Sequence, residues 1–232
     1  MAFRPTLWPT LFTVPALIAL IALGFWQIER LHWKADLIEK LQTRSTAAAV
    51  APPGPSDDLA AFEFQRVVIS GRFRHDRELY LVSRSLRGNP GFHVLTPFER
   101  GEGAPAVMVN RGWVPFDKQF PAKRAEGQVS GPVTIEGIVR LQRPPGWFTP
   151  DDDPKKNNWF TIDSKKMSQA TGVPLAGGFY VVADLAGTPG GFPVGRQWRM
   201  DIRNNHLEYA ITWFALAAAL LVIYLLYHRN RS

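Results

Sequence analysis

Hydrophobic positions gather in two blocks near the ends of the chain, with an alternating, more polar middle between them. The first block runs from Pro5 to Ile28, 24 residues without a charge, and the second from Tyr209 to Tyr227, 19 residues. A helix rises about 1.5 Å per residue, so about 20 apolar residues cross a hydrocarbon layer of about 30 Å. A helix packed into a water-soluble domain keeps a polar stripe. Ala210–Leu226 has none, with Thr212 as its one aliphatic polar residue. A cleavable leader is the other reading of the first block. Its apolar run is too long for that, and bulky Phe25-Trp26-Gln27 stands where small residues would be cleaved. Pro5 and Pro9 suit a helix start, whereas Pro15 predicts a kink in the span.

Beyond the first span, Trp26, Arg30, Trp33 and Leu37 recur at i, i+4, i+7 and i+11, so the helix is expected to continue over 29–44. Residues 45–62 lack periodicity and read as an Ala/Pro linker. Strand-like runs follow at Phe64–Phe73, Glu78–Ser83, His93–Phe98, Ala106–Val114, Val133–Leu141 and Phe179–Ala183, rich in β-branched and aromatic residues. Turn material separates them at 87–91, 100–105, 143–158 and 186–195. One helix interrupts the strands. Asp163 is its expected cap, Ser164–Thr171 its body and Gly172 its stop. The pattern predicts an α+β membrane protein: two transmembrane helices flanking one β-rich, barrel- or sandwich-like extramembrane domain with a short helix. The expected divisions are 1–8 (cytoplasmic), 9–28 (first span), 29–44 (juxtamembrane helix), 45–62 (linker), 63–203 (β-rich domain), 204–227 (second span with its entry segment) and 228–232 (cytoplasmic).

Charge refines the topology. Of 27 Lys/Arg, only Arg4, Arg229 and Arg231 lie outside residues 29–208, leaving 24 there against all 20 Asp/Glu. Purely basic termini suit the cytoplasmic side. Basic residues beside the spans (Arg30, Lys34, Arg196, Arg203) favour the opposite orientation by raw count, but long translocated domains largely escape that rule. A mitochondrial precursor would begin with an Arg- and Ser-rich leader, so the natural expectation is the bacterial inner membrane, with the central domain in the periplasm.

The chain has no cysteine, which excludes disulfides, thiolate metal sites and a cysteine nucleophile. Phosphate-loop, paired-histidine zinc and serine-elbow motifs are absent, and no nucleophile–base set is evident, so an enzyme is not expected. Asp151-Asp152-Asp153, followed by Pro154-Lys155-Lys156, reads as a solvated loop. The basic balance lacks the aromatic or helical signature of nucleic-acid binding. His228 reads as a tail residue at the membrane interface, and Arg111-Gly112-Trp113 as a strand end with a buried indole, Gly112 marking a bulge.

His206 stands apart. It precedes the second span by about one helical turn and shares a predicted face with Tyr209, Ala210, Trp213 and Ala217. An imidazole beside aromatic and small residues suits haem iron and a flat apolar macrocycle. An aromatic belt on an Ala-rich packing helix is the plainer reading. His32 lies near the same membrane surface and makes a two-histidine site conceivable. Arg30 and Arg203 stand at that level, where a haem propionate or a lipid phosphate would meet them.

The run Leu23-Gly24-Phe25-Trp26-Gln27-Ile28-Glu29-Arg30-Leu31-His32-Trp33-Lys34 resembles the membrane-exit motif of the Surfeit locus protein 1 family. Gly71-Arg72-Phe73, Arg77-Glu78-Leu79-Tyr80, Pro90–Pro97, Val109–Pro115, Asn158-Trp159-Phe160 and Asn205–Phe214 continue the likeness in order. The resemblance implies an assembly factor, a chaperone without a bond-making role, for haem-copper cytochrome c oxidase. Its expected partners are the catalytic subunit, other assembly factors and membrane lipid. It implies transient binding of haem a, with His206 at the position of the family's haem-ligating histidine; Tyr209, Trp213, Arg30, Trp26 and His32 are the further candidates that the residue pattern itself supplies. His32 falls at a variable position of the motif. A haem-free scaffold holding an immature oxidase subunit is the alternative.

Overall fold

The computed structural model describes residues 5–101, 103–198 and 202–229. The chain divides into two compact units, one from Met1–Leu41 with Asp201–Ser232, the other from Gln42–Met200.

The first unit is a pair of long helices. Helix α1 spans Leu7–Thr46 and helix α4 spans His206–Arg229. Both are long and apolar enough to cross a membrane, and little of either apolar stretch is buried against protein. Leucine, isoleucine and valine side chains along both stand exposed, the arrangement expected where lipid is the solvent. Two apolar helices flanking a domain in sequence make this a membrane protein. Helix α1 runs through Pro15 as one element and carries the expected juxtamembrane turns without a break.

The helices are antiparallel and stitched along their length. At one end Thr6 N donates to His228 Nε2 at 3.1 Å and Thr10 Oγ1 meets the Tyr224 hydroxyl at 2.7 Å. His228 Nδ1 lies 2.9 Å from the Tyr224 carbonyl, which can only accept, so Nδ1 carries the hydrogen and Nε2 accepts from Thr6. His228 is therefore buried in the helix seam, not a free tail residue. At mid-length Gly24 faces Phe214, whose ring atom Cε1 would lie 2.5 Å from any Cβ there. Ala210 and Ala217 are buried along the same seam, as small residues at lipid depth allow.

The second unit is a seven-stranded mixed sheet: β1 (Arg66–Phe73), β2 (Leu79–Leu86), β3 (Asn89–Glu99), β4 (Val107–Pro115), β5 (Val133–Leu141), β6 (Asn158–Trp159) and β7 (Phe179–Ala183). The order is β1-β5-β7-β4-β3-β2-β6. The last residues of β1 also pair with β3, Arg72 with Glu99 and Phe73 with Phe98, which closes five strands into a ring. The barrel-like expectation thus holds, with β2 and β6 as a wing. Helix α3 (Ser164–Thr171) is capped by Asp163, whose carboxylate accepts from Lys165 N and Lys166 N, and ends on left-handed Gly172.

Strand β4 is buried on both faces. Alternation sends Val107 and Val109 into one core with Val67, Ile69, Phe98 and Val181, and Met108 into a second with Leu81, Leu95, Trp159 and Met167. Each fully buried side chain of this size contributes about 1.5–3 kcal/mol by leaving water.

Four sequence expectations need correcting. The predicted 87–91 turn contracts to Arg87-Gly88, both at positive φ, because a two-residue hairpin of that twist joins Leu86 to Asn89 and Pro90 and Gly91 enter β3. The supposed linker is partly built in. Val50 donates to Arg66 O at 3.0 Å beside β1, and Asp58 caps a short helix α2 (Leu59–Phe62). The 143–158 loop ends in the two-residue strand β6, which begins at Asn158 and runs parallel to Tyr80 and Leu81. Its Asp152 side chain is only 4% exposed and not solvated: the carboxylate accepts from Phe160 N at 2.8 Å, Thr161 N at 3.2 Å and Lys166 Nζ at 3.2 Å.

Candidate functional site

The helix pair positions the histidine singled out by sequence. His206 is the first residue of α4 and half-buried, and its Nδ1 lies 2.6 Å from the Gln27 side-chain oxygen on α1. A carboxamide oxygen only accepts, so Nδ1 donates and Nε2 is the ring nitrogen left free of this contact. Gln27 thereby fixes the orientation of the ring from the neighbouring helix. One turn away, Asn204 Nδ2 donates to Leu31 O at 3.2 Å and holds the entry segment against α1. Gln27 is buried, which its place in an exposed-looking exit motif does not announce.

The other predicted residues distribute unevenly. Trp213 shares the packed stripe with His206, Ala210 and Ala217, and its indole nitrogen is buried with no hydrogen-bond partner among the described residues. Tyr209 lies off that stripe and is 57% exposed, because a three-residue step falls about 60° short of a full turn. Trp26 and Trp33 are exposed on α1, and the Arg30 guanidinium stacks 3.9 Å from the Trp33 ring centre. His32 is exposed, and no hydrogen bond joins it to His206 among the described residues. No cluster of three or more His, Asp or Glu could hold a bare metal ion among the described residues. A haem brings four ring nitrogens of its own, so one imidazole suffices for it.

The β domain contains a buried charge centre that the sequence did not reveal. The β3–β4 register slips so that Val94 faces Gly112 and Leu95 faces Asn110, leaving Arg111 as the extra residue of a bulge. Gly112 has φ +130° and lies against the Val194 carbonyl, so the bulge expected there is present and needs glycine. Arg111 turns inward, donates to Glu78 Oε1 at 2.9 Å, and also donates to the Gly127 carbonyl. Arg124 donates to Glu78 Oε2 at 2.5 Å. Arg111, Arg124 and Glu78 side chains are each 1% exposed. Burial alone would raise the Glu78 carboxyl; contacts from His75, Arg124 and Arg111 outweigh it and hold the group below its ordinary range. Burial likewise pulls Arg111 down to about 10 despite Glu78.

A β-rich domain flanked in sequence by two apolar helices defines a membrane-anchored α+β protein, and comparison with known proteins narrows it. The SURF1 family profile matches residues 14–218. Surfeit locus protein 1 of Takifugu rubripes is 35% identical over 224 residues, covering 90% of this chain and 91% of that protein. The SURF1-like protein of Monosiga brevicollis is 36% identical, covering 96% and 88%, and Surfeit locus protein 1 of Homo sapiens is 34% identical, covering 87% and 71%. The chain belongs to the SURF1 family.

Proposed function

We propose that this chain is a non-enzymatic assembly factor for haem-copper cytochrome c oxidase that binds haem a through His206 and hands it to the catalytic subunit. Family membership supports the assembly role. The single observation that supports the haem role is the Gln27–His206 hydrogen bond, which presets the imidazole with Nε2 ready to ligate. Haem would supply an iron able to accept an imidazole nitrogen. The chain's own residues would orient the imidazole, offer the Trp213 indole N–H to a polar ring substituent, and present Arg30 to a propionate. Handover requires modest affinity, since a very tight site would not release its cargo. The protein would sit in a bacterial inner membrane with the β domain on the periplasmic side, and its partners would be the catalytic subunit, other assembly factors and lipid.

The test is an optical spectrum of the protein purified after co-production with haem a, with and without His206→Ala. Retention of the haem bands by wild type and their loss or shift in the variant is the expected result. Identical spectra would remove His206 as ligand. The close packing at Gly24, Ala210 and Ala217 favours a second reading, a haem-free scaffold for an immature oxidase subunit, and absence of haem from both proteins would select it.

A further inference from the structure

Three arginines converge on a cleft that no feature of the haem site explains. In β2 the register breaks between Leu81 and Arg84, and Ser83 adopts φ +56°, a conformation costly for a residue with a side chain. The break aims Arg84 into a cleft of about 250 Å³, where Arg140 of β5 and Arg143 just beyond it also contribute. Tyr180 of β7 lines the opposite wall. Burial raises the Tyr180 phenol above its ordinary range and outweighs the opposing charges of Arg140, Arg84 and Arg143, which line the same cleft.

Elsewhere in the domain carboxylates sit between arginines. Arg111 and Arg124 share Glu78, and Arg66 and Arg196 meet Asp184. No carboxylate is among the described residues lining this cleft; Glu63 accepts from Arg143 at 3.1 Å at its edge. Arg84 Nε is buried without a hydrogen-bond partner among the described residues. Leaving such a donor desolvated and unmatched is unfavourable unless an anion completes it.

We propose that this cleft binds a phosphate group, with Arg84 as its principal donor and Arg143 and the Tyr180 hydroxyl as supporting donors. A single guanidinium fork satisfies a planar carboxylate; donors converging from three strands and segments suit a tetrahedral oxyanion. The volume exceeds that of phosphate alone and leaves room for an ester. The rim is the turn Gly146–Thr149, closed by Thr149 N to Gly146 O at 3.0 Å and flanked by Pro144, Pro145 and Pro150. It holds Trp147 94% and Phe148 92% exposed beside the cleft, where an apolar ester chain would cover them. The shared chemistry is a phosphate, free or as a lipid headgroup.

The test uses the full chain in a non-ionic detergent, titrated by calorimetry with inorganic phosphate and, separately, with a short-chain phosphatidic acid. Saturable one-to-one binding of at least one is expected. Equal affinity for both identifies phosphate itself as the recognised unit, and binding of the lipid alone identifies a headgroup site. Arg84→Gln should weaken binding about tenfold or more, as loss of a charged hydrogen bond does. Arg84→Lys should lose part of it, and exposed Arg143→Gln, whose fold is not at risk, about threefold on the scale of a partly exposed charge contact. Lys165→Gln, outside the cleft, should change nothing. Failure of both probes to bind overturns the proposal, as does wild-type affinity in both the Arg84 and Arg143 variants. Competition by a glutamate-rich peptide at the same concentration would also overturn it, making the cleft a carboxylate site for a protein partner.

Discussion

The Gln27 side-chain oxygen and His206 Nδ1 lie 2.6 Å apart although 179 residues separate them in the chain. The contact joins the exit of one span to the entry of the other and selects one tautomer of the imidazole. Gln27→Leu should therefore keep His206 but loosen its orientation. Haem titration of this variant should show affinity reduced about tenfold or more, in line with losses of hydrogen-bonded neighbours at metal-binding histidines. Wild-type affinity in Gln27→Leu would show that the hydrogen bond does not matter to ligation.

Gly24 gives the Phe214 ring its place, and Phe214 in turn meets Phe25 edge-on at 5.4 Å between ring centres. Gly24→Leu should force Phe214 aside and separate the helices. The chain lacks cysteine, so Thr10→Cys with Tyr224→Cys gives a clean reporter for a short bis-maleimide. Cross-linking should be efficient with Gly24 and weak with Gly24→Leu.

Glu78 neutralises two buried guanidiniums. Glu78→Gln should lower stability by about 3–5 kcal/mol, because it leaves buried charge uncompensated. Chemical denaturation of the full chain in detergent measures it. A change under 1 kcal/mol would mean that water reaches Arg111 and Arg124.

His93 supplies a pH dependence. Burial, helped by the charge of Arg84, pulls its pKa down from 6.5 to about 4, and its Nδ1 lies 3.0 Å from the Asn110 amide nitrogen. The unfolded chain takes up a proton near pH 6.5 that the folded chain refuses until about pH 4. Stability from this group is complete above the unfolded value and declines as pH falls from 6.5 to about 4, by about 3 kcal/mol in all. His93→Gln should flatten that slope in denaturation midpoints across the window. An unchanged slope would assign it to other groups.

Asp152 organises its loop through two backbone amides and a lysine. Asp152→Ala should cost about 1–3 kcal/mol and speed hydrogen exchange at Phe160 and Thr161, whereas exposed Asp151→Ala should do neither. Equal exchange in both variants would make Asp152 the solvated residue that its sequence suggests.

The sequence by itself determined whatever short-range pattern encodes. Unbroken apolar runs specified both spans, β-branched runs specified β5 and β7 with their observed limits, and Asp163 with Gly172 bounded α3. His206 was legible because it stands at the edge of an uncharged run. Only the tertiary structure decided that Gln27 holds that imidazole, that a bulge turns Arg111 onto Glu78, that Asp152 is buried, and that Arg84 looks into a cleft with Arg143 and Tyr180. The physical reason is that these contacts join residues distant along the chain through strand pairing and helix packing. Register slips of one residue reverse which way a side chain points, and spacing along the chain carries no trace of that choice.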